Sequence, residues 1–195
     1  MATIGLSKPY FAIYSNSGTT VSYSDGALLG KAITMSISVD DADDNILYAD
    51  NGAAESAKSF TGGSVTIGTD EISPATMVKI LGVSEETISG STVTGAKWYI
   101  NDDDQTIPYL GVGGIIKKRI NGADKYQAVA LDKVQFGNLS NEITTQGESI
   151  EWQTPEISGT IMRSDNTKHS WRRLSSLCDS EADAETLLKG FFSIT

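Results

Sequence analysis

Cysteine and histidine are almost missing from this chain: its 195 residues contain one of each, Cys178 and His169. That excludes a disulfide framework and a Cys/His zinc site, both of which need several such side chains. Cations are also scarce, with fifteen Lys and Arg against twenty-five Asp and Glu, a formal net charge of −10. A dedicated nucleic-acid binder needs cations to neutralise phosphates, so this balance argues against one. Long apolar runs are lacking too. The longest, Tyr109 to Ile116, falls far short of the ~20 residues a membrane helix needs, so no membrane partner is expected. Residues 1–10 (MATIGLSKPY) have neither a basic n-region nor an apolar h-region, and without a secretory signal the Asn138-Leu139-Ser140 sequon carries little weight. The expectation is a protein made and folded in a cytoplasm. Nineteen Gly and four Pro are ordinary usage, which excludes collagenous and low-complexity readings.

The charge that is present is unevenly spread. Residues 1–104 hold fourteen acids and five bases, and residues 105–195 eleven acids and ten bases. Acids cluster at Asp40, Asp41, Asp43, Asp44 and Asp50, and again at Asp102-Asp103-Asp104. Bases cluster at Lys117-Lys118-Arg119 and Arg172-Arg173. Such clusters serve as solvated loop charges, or as complementary patches that set register between copies of one chain.

Strand patterns dominate. From Lys31 to Asp40, Ile33, Met35, Ile37 and Val39 alternate with Thr34, Ser36 and Ser38, the period of a half-buried strand. Similar alternation marks Ser64–Gly68, Tyr126–Ala130, the surroundings of Ile150 and Trp152, and Ile157–Arg163. Asn121-Gly122 between Ile115–Ile120 and Lys125–Ala130 predicts a hairpin, because both turn residues tolerate positive φ. Asn16-Ser17-Gly18, Asp25-Gly26 and Gly62-Gly63 read as further turns.

Two short helices interrupt the strands. Ser73-Pro74 reads as an N-cap and first-turn proline, with Pro74, Met77, Val78 and Leu81 as the apolar stripe and Gly82 past the end. A second helix starts at Asp179 or Ser180 and runs to about Lys189, with acids in its first turn, Gly190 closing it, and Ala184, Leu187 and Leu188 as its buried stripe. Residues 40–59 read as a long acidic loop with Leu47 and Tyr48 as its only large apolar pair, an uncommon length for a compact domain.

Catalytic and ligand motifs fail on detail. Gly26–Lys31 resembles a phosphate loop, but its glycines are one residue too close, Ala32 stands where Ser/Thr would bind magnesium, and a strand follows where a helix is required. Asp41–Asn45 begins like a calcium loop, yet Ile46 and Gly52 occupy the positions that need glycine and a bidentate acid, leaving only weak divalent-ion binding open. His169 and Cys178 lack a local third group to orient them as a nucleophilic pair. No cofactor, metal site or catalytic residue is therefore expected, and the chain reads as a non-enzyme.

The order of these elements resembles the major tail proteins of long-tailed, siphovirus-type bacteriophages, the subunits of the tail tube. Lys8-Pro9-Tyr10-Phe11-Ala12-Ile13-Tyr14 leads to Gly30-Lys31-Ala32 and the strand ending at Val39. Leu47-Tyr48-Ala49-Asp50-Asn51, Glu55, the strand at Phe60, Gly62 and Gly63, and the Pro74–Leu81 helix with Gly82 follow. Trp152–Ile161, Trp171 and a final helix ending in Phe191-Phe192 complete a likeness that spans nearly the whole chain and rests on combination and order.

The resemblance implies a mostly β, antiparallel sandwich or barrel with one short helix packed on it and a short C-terminal helix. It implies one domain over 1–195, with an N-terminal arm over about 1–10, the long loop over about 40–59 and a C-terminal helix or arm over about 179–195. The partner would be the chain itself, in hexameric rings stacked into a hollow tube in the virion, assembled in a bacterial cytoplasm. Tail terminator, tape measure and distal tail proteins would join it, and DNA would pass in transient contact. Strands of six subunits would form one continuous lumen wall and so remove exposed sheet edges. Six copies carry −60 per ring, which would repel phosphates and let DNA slide. Candidate lumen residues are Thr34, Ser36, Ser38, Thr66, Ser158 and Thr160. Candidate inter-subunit residues are Asp41, Asp43, Asp44, Leu47, Tyr48, Lys117, Lys118, Arg119, Arg172 and Arg173. Alternatives are a tube subunit of a tail-derived injection particle, or a carbohydrate or cell-surface binding module; the latter would want clustered exposed aromatics, whereas Trp98, Trp152 and Trp171 are scattered and suit core positions.

Overall fold

The computed structural model describes residues 2–41, 45–49, 52–57, 59–139, 145 and 153–194, with the strand course alone described at 45–49 and 52–57. The protein is mostly antiparallel β with two helices. β1 (Ala2–Ser17) and β2 (Thr20–Leu28) form a hairpin, followed by β3 (Ala32–Asp41), β4 (Asn45–Ala49), β5 (Gly52–Ala57) and β6 (Phe60–Thr69). Helix α1 (Pro74–Leu81) precedes β7 (Ser84–Thr87), β8 (Lys97–Ile100), β9 (Leu110–Ile120) and β10 (Ala123–Phe136). β11 (Glu156–Met162), β12 (Arg172–Leu174) and α2 (Glu181–Phe191) complete the chain.

The main sheet runs β2-β1-β9-β10-β11-β6-β3, with β12 paired to β10. The sheet curls so that β3, at one end of this path, passes close to β1. Curling gives it an inner face closed on itself. Phe11, Val65, Ile67, Val112, Leu131, Val134, Phe136, Ile157 and Ile161 fill that face together with Ile80 and Leu81 of α1. The outer face carries a second core, Tyr10, Ala12, Ile115, Ala128 and Ala130 against Ala184, Leu188 and Phe192 of the α2 region. Small residues make that seat shallow: a Cβ on Gly111 would lie 2.5 Å from the Phe192 ring.

Local chemistry accounts for most boundaries. Ser73 caps α1 by accepting from the Thr76 amide, Pro74 opens it, and Gly82 ends it in the left-handed region at φ 68, where glycine carries no Cβ penalty. Asn121 and Gly122 take φ 50 and 82, so the β9–β10 turn has the form their sequence predicts. In α1, Met77 and Val78 are half-buried and Leu81 buried as expected, but Ile80 is buried and Pro74 exposed.

Several expectations change. Residues 2–10, expected as an arm, are strand, paired with β9 from Ala2 onward. Within the expected 40–59 loop, β4 and β5 pair as a separate two-stranded sheet. Asp25-Gly26 makes a bulge inside β2, with Asp25 at φ 51, and not a chain reversal. Gly62-Gly63 lies within β6. Ser180 is the α2 cap, the helix continues through Gly190 to Phe191, and Leu187 is exposed. The patterns around Ile150 and Trp152 lie outside the described residues. Among the described residues no helix is long and apolar enough to cross a membrane.

Candidate functional site: a polar sheet face and its charged surroundings

Registers across β3, β6 and β11 bring all six Ser/Thr candidates onto one face. Ser36 pairs with Thr66, which pairs with Ser158. One rung away, Ser38 pairs with Ser64 and Ser64 with Thr160. Thr34 stands opposite Gly68, whose other neighbour is Glu156. Opposed residues share a face, so these rows form one sheet surface, the reverse of the Met35–Ile67–Ile157 row that faces the core. Thr34, Ser36, Ser38, Ser158 and Thr160 are exposed and Thr66 half-buried. The Thr66 and Ser158 hydroxyls are 2.9 Å apart. Asp40 and Glu156 are the charged residues of this face, and its positions on the three strands include no Lys or Arg. β3, the strand that carries Thr34, Ser36 and Ser38, ends the sheet path.

The charged candidates divide by partner. Lys117 lies 2.7 Å from Asp124, and Arg119 reaches the same carboxylate at 3.2 Å. The hydrogen bond with Lys117 holds Asp124 below the ordinary carboxylate range, and the same bond raises Lys117. Arg173 donates through Nε to both oxygens of Asp132, at 3.1 and 3.0 Å. Asp132 is 1% exposed and accepts from the Ser170 hydroxyl as well. Three cations of the two basic clusters thus have acids within their own chain. Lys118 donates to the Gln127 side chain at 2.5 Å, and the Arg172 guanidinium lies 4.9 Å from the Trp171 ring centre.

Asp41 is exposed at the end of β3, opposite Phe60. Asp43 and Asp44 lie outside the described residues. Leu47 and Tyr48 fall in β4, opposite Glu55 and Ala53, with their side chains outside the description.

A feature not legible in the sequence sits beside Asp41. Phe60 and Trp171 stack with centroids 4.4 Å apart and planes within 3°. Arg163 lies over Phe60 and also donates to its carbonyl. Trp171 therefore closes the inner core, whereas Trp98 is 63% exposed on β8, against the expectation that both suit core positions. Trp152 lies outside the description. Another unforeseen group ties the two termini together: Lys8, Tyr10 and Lys189 converge on Glu185, with the Tyr10 hydroxyl at 2.6 Å and Lys189 at 3.2 Å. Chiefly through the Lys8 bond, then the Tyr10 bond, the Glu185 carboxyl is lowered to about 2. No spacing rule links partners some 175 positions apart.

His169 takes φ 50 and places Nδ1 3.2 Å from the Ser164 carbonyl. Cys178 is half-buried, and its backbone exchanges hydrogen bonds with Tyr126. Among the described residues no three His, Cys, Asp or Glu are grouped to hold a metal ion. Gly30 packs against the Glu71 carbonyl and leads into β3, so no helix N-terminus follows Gly26–Lys31.

No family model matches the chain, and no curated protein matches it either.

Proposed function

We propose that this protein is a structural subunit that assembles with copies of itself into a hollow tube, the major tail tube subunit of a long-tailed phage. The observation that carries the reading is the alignment of Thr34, Ser36, Ser38, Thr66, Ser158 and Thr160 on one uncrowded face without a cation. A conduit for DNA needs such a wall. Short hydroxyl side chains present no bulk, Asp40 and Glu156 repel phosphate, and without Lys or Arg there is no counterion release to favour DNA sticking.

The edge of the same face supports assembly. β3 ends the sheet path, contains neither Pro nor Lys, and keeps a regular ladder from Thr34 to Asp40 between a register shift at each end. Monomeric proteins blunt such edges with charge, proline or bulges. Pairing β3 with a neighbouring copy would satisfy its backbone groups and extend the polar face around a ring. In this reading the protein performs no catalysis and takes no cofactor; terminator, tape measure and distal tail proteins would cap and fill the tube in a virion.

Negative-stain electron microscopy of concentrated protein, together with antibody labelling of phage tails, tests the proposal. Hollow tubes and labelling along the shaft are expected. Labelling confined to the capsid or tail tip would end it.

Exposed Trp98 favours one second reading, a carbohydrate or cell-surface binding module, since aromatic faces stack on sugar rings. Quenching of tryptophan fluorescence by glycans, abolished in Trp98→Ala, would favour that module over the tube.

A further inference from the structure

Two places expose apolar side chains in complementary electrostatic settings. The first is the β7–β8 hairpin, which among the described residues forms a two-stranded sheet of its own. Trp98 is 63% exposed there, and Val93, in the connection between the strands, is 67% exposed. Residues 84–104 carry Glu85, Glu86, Asp102, Asp103 and Asp104 against Lys97 alone. Glu86 stands directly opposite Trp98, so one hairpin face presents an aromatic ring and a carboxylate together.

The second place is the mouth of the inner face at the Asn121-Gly122 end, the opposite end from α1. Gly114 stands opposite Val129, and Val129 opposite Leu174, so the three share a face of β9, β10 and β12. Leu6 on the neighbouring strand β1, opposite Ile116, and Met35 of β3 across the inner face approach Gly114, with atoms 3.3 and 3.9 Å from where a Cβ would sit. Ile116 is the next residue of β9 on this face, and Leu174 is 51% exposed. One cation, Lys118, rims the mouth. Lys118 follows Ile116 on the same face toward the Asn121-Gly122 turn, opposite Lys125, whereas Arg172 shares the face of Leu174 but lies opposite Leu131, nearer the α1 end. Neither has a carboxylate partner among the described residues, in contrast to Lys117, Arg119 and Arg173.

We infer that the β7–β8 hairpin of one copy docks in this mouth on a second copy, with Trp98 against Leu6, Ile116 and Leu174 and Glu86 beside Lys118. The apolar contact removes a large aromatic surface from water. The opposed charges fix its register and exclude a hairpin-to-hairpin pairing of like sign. The two surfaces differ, so the contact is heterologous and propagates from copy to copy. This inference rests on the homotypic assembly proposed above and names a contact separate from the β3 edge.

Cross-linking tests it with the apolar and charged residues left in place. Ser89→Cys, in the connection beyond β7, and Thr3→Cys, opposite Lys118, are made separately in a Cys178→Ser background, mixed, and treated with a short bismaleimide. A Ser89–Thr3 linked dimer is expected, with at least tenfold more product than from Ser89→Cys mixed with Ser17→Cys at the distant β1–β2 turn. Glu86→Lys should lower the yield at least tenfold, and Lys118→Glu on the other partner should restore it. Hollow polymers that form with cross-linking no better than the Ser17 control would overturn the inference and leave the assembly reading standing. A chain that stays monomeric at every concentration, with no such cross-link, would overturn both.

Discussion

Substituting Glu185→Gln isolates what holds the two ends of this chain together. The carboxylate is 17% exposed and accepts from Lys8 and Tyr10 of β1, with Lys189 of α2 alongside. Its pKa falls from 4.5 to about 2. At about 1.36 kcal/mol per unit, that difference corresponds to at most about 3.4 kcal/mol. Solvent reaches Lys8 and the rim of the site, and screening there reduces the figure to about 1.5–2 kcal/mol. The folded-state pKa is depressed, so this stabilisation is present above about pH 4.5 and is lost as pH falls toward 2. Urea unfolding of wild type and Glu185→Gln should therefore differ by about 1.5–2 kcal/mol at pH 7, about 3–8 °C in Tm for a chain of this length. The gap should shrink steadily below pH 4.5. Lys8→Met should remove much of the same stability, and the double variant should lose less than the sum of the two. A gap equal at pH 7 and pH 3, or fully additive losses, would refute the reasoning.

In the proposed tube, cations placed on the polar face should change how DNA passes. Ser36→Lys with Ser158→Lys should leave the monomer fold intact by circular dichroism while tubes retain duplex DNA in a salt-dependent way and particles eject it more slowly. Asp132→Ala leaves the half-exposed Arg173 guanidinium and the Ser170 hydroxyl without their shared partner, and a loss of about 1–3 kcal/mol by denaturant titration is expected. Gly82→Ala puts a Cβ at φ 68 and into the Thr106 carbonyl, so it should cost more than the ~1 kcal/mol of an ordinary left-handed substitution, again by denaturant titration. Phe192→Ala empties a fully buried site on the glycine and alanine seat, with an expected loss of about 3–5 kcal/mol and faster proteolysis of the C-terminal helix.

Local patterns carried as far as local physics reaches. Alternation located β3 and the cores of β6, β10 and β11, and the Ser73-Pro74 and Asn121-Gly122 pairs located a cap and a turn, because each depends on neighbours within a few residues. The same logic misread Asp25-Gly26 and Gly62-Gly63: permissive glycine serves a bulge or a close approach inside a strand as readily as a turn. The acidic stretch 40–59 concealed β4 and β5 because a two-stranded ribbon needs no buried face to set its alternation. Trp98 gave no sign of its exposure, since whether an aromatic is buried depends on what packs over it.

The amino-acid order by itself determined the class of the protein: acidic, mostly β, punctuated by two capped helices, without the residues for a zinc site or a disulfide framework. It also determined that small hydroxyls alternate with apolar residues on three separate strands, since a period of two is a property of each strand alone. Only the tertiary structure decided that those strands are neighbours in a register that merges their hydroxyls into one face. It alone decided that Arg173 meets buried Asp132 while Arg172, its neighbour in sequence, turns to the opposite face beside the Trp171 ring. Adjacent side chains on a strand point to opposite faces, and long-range pairing then gives each face its own set of partners.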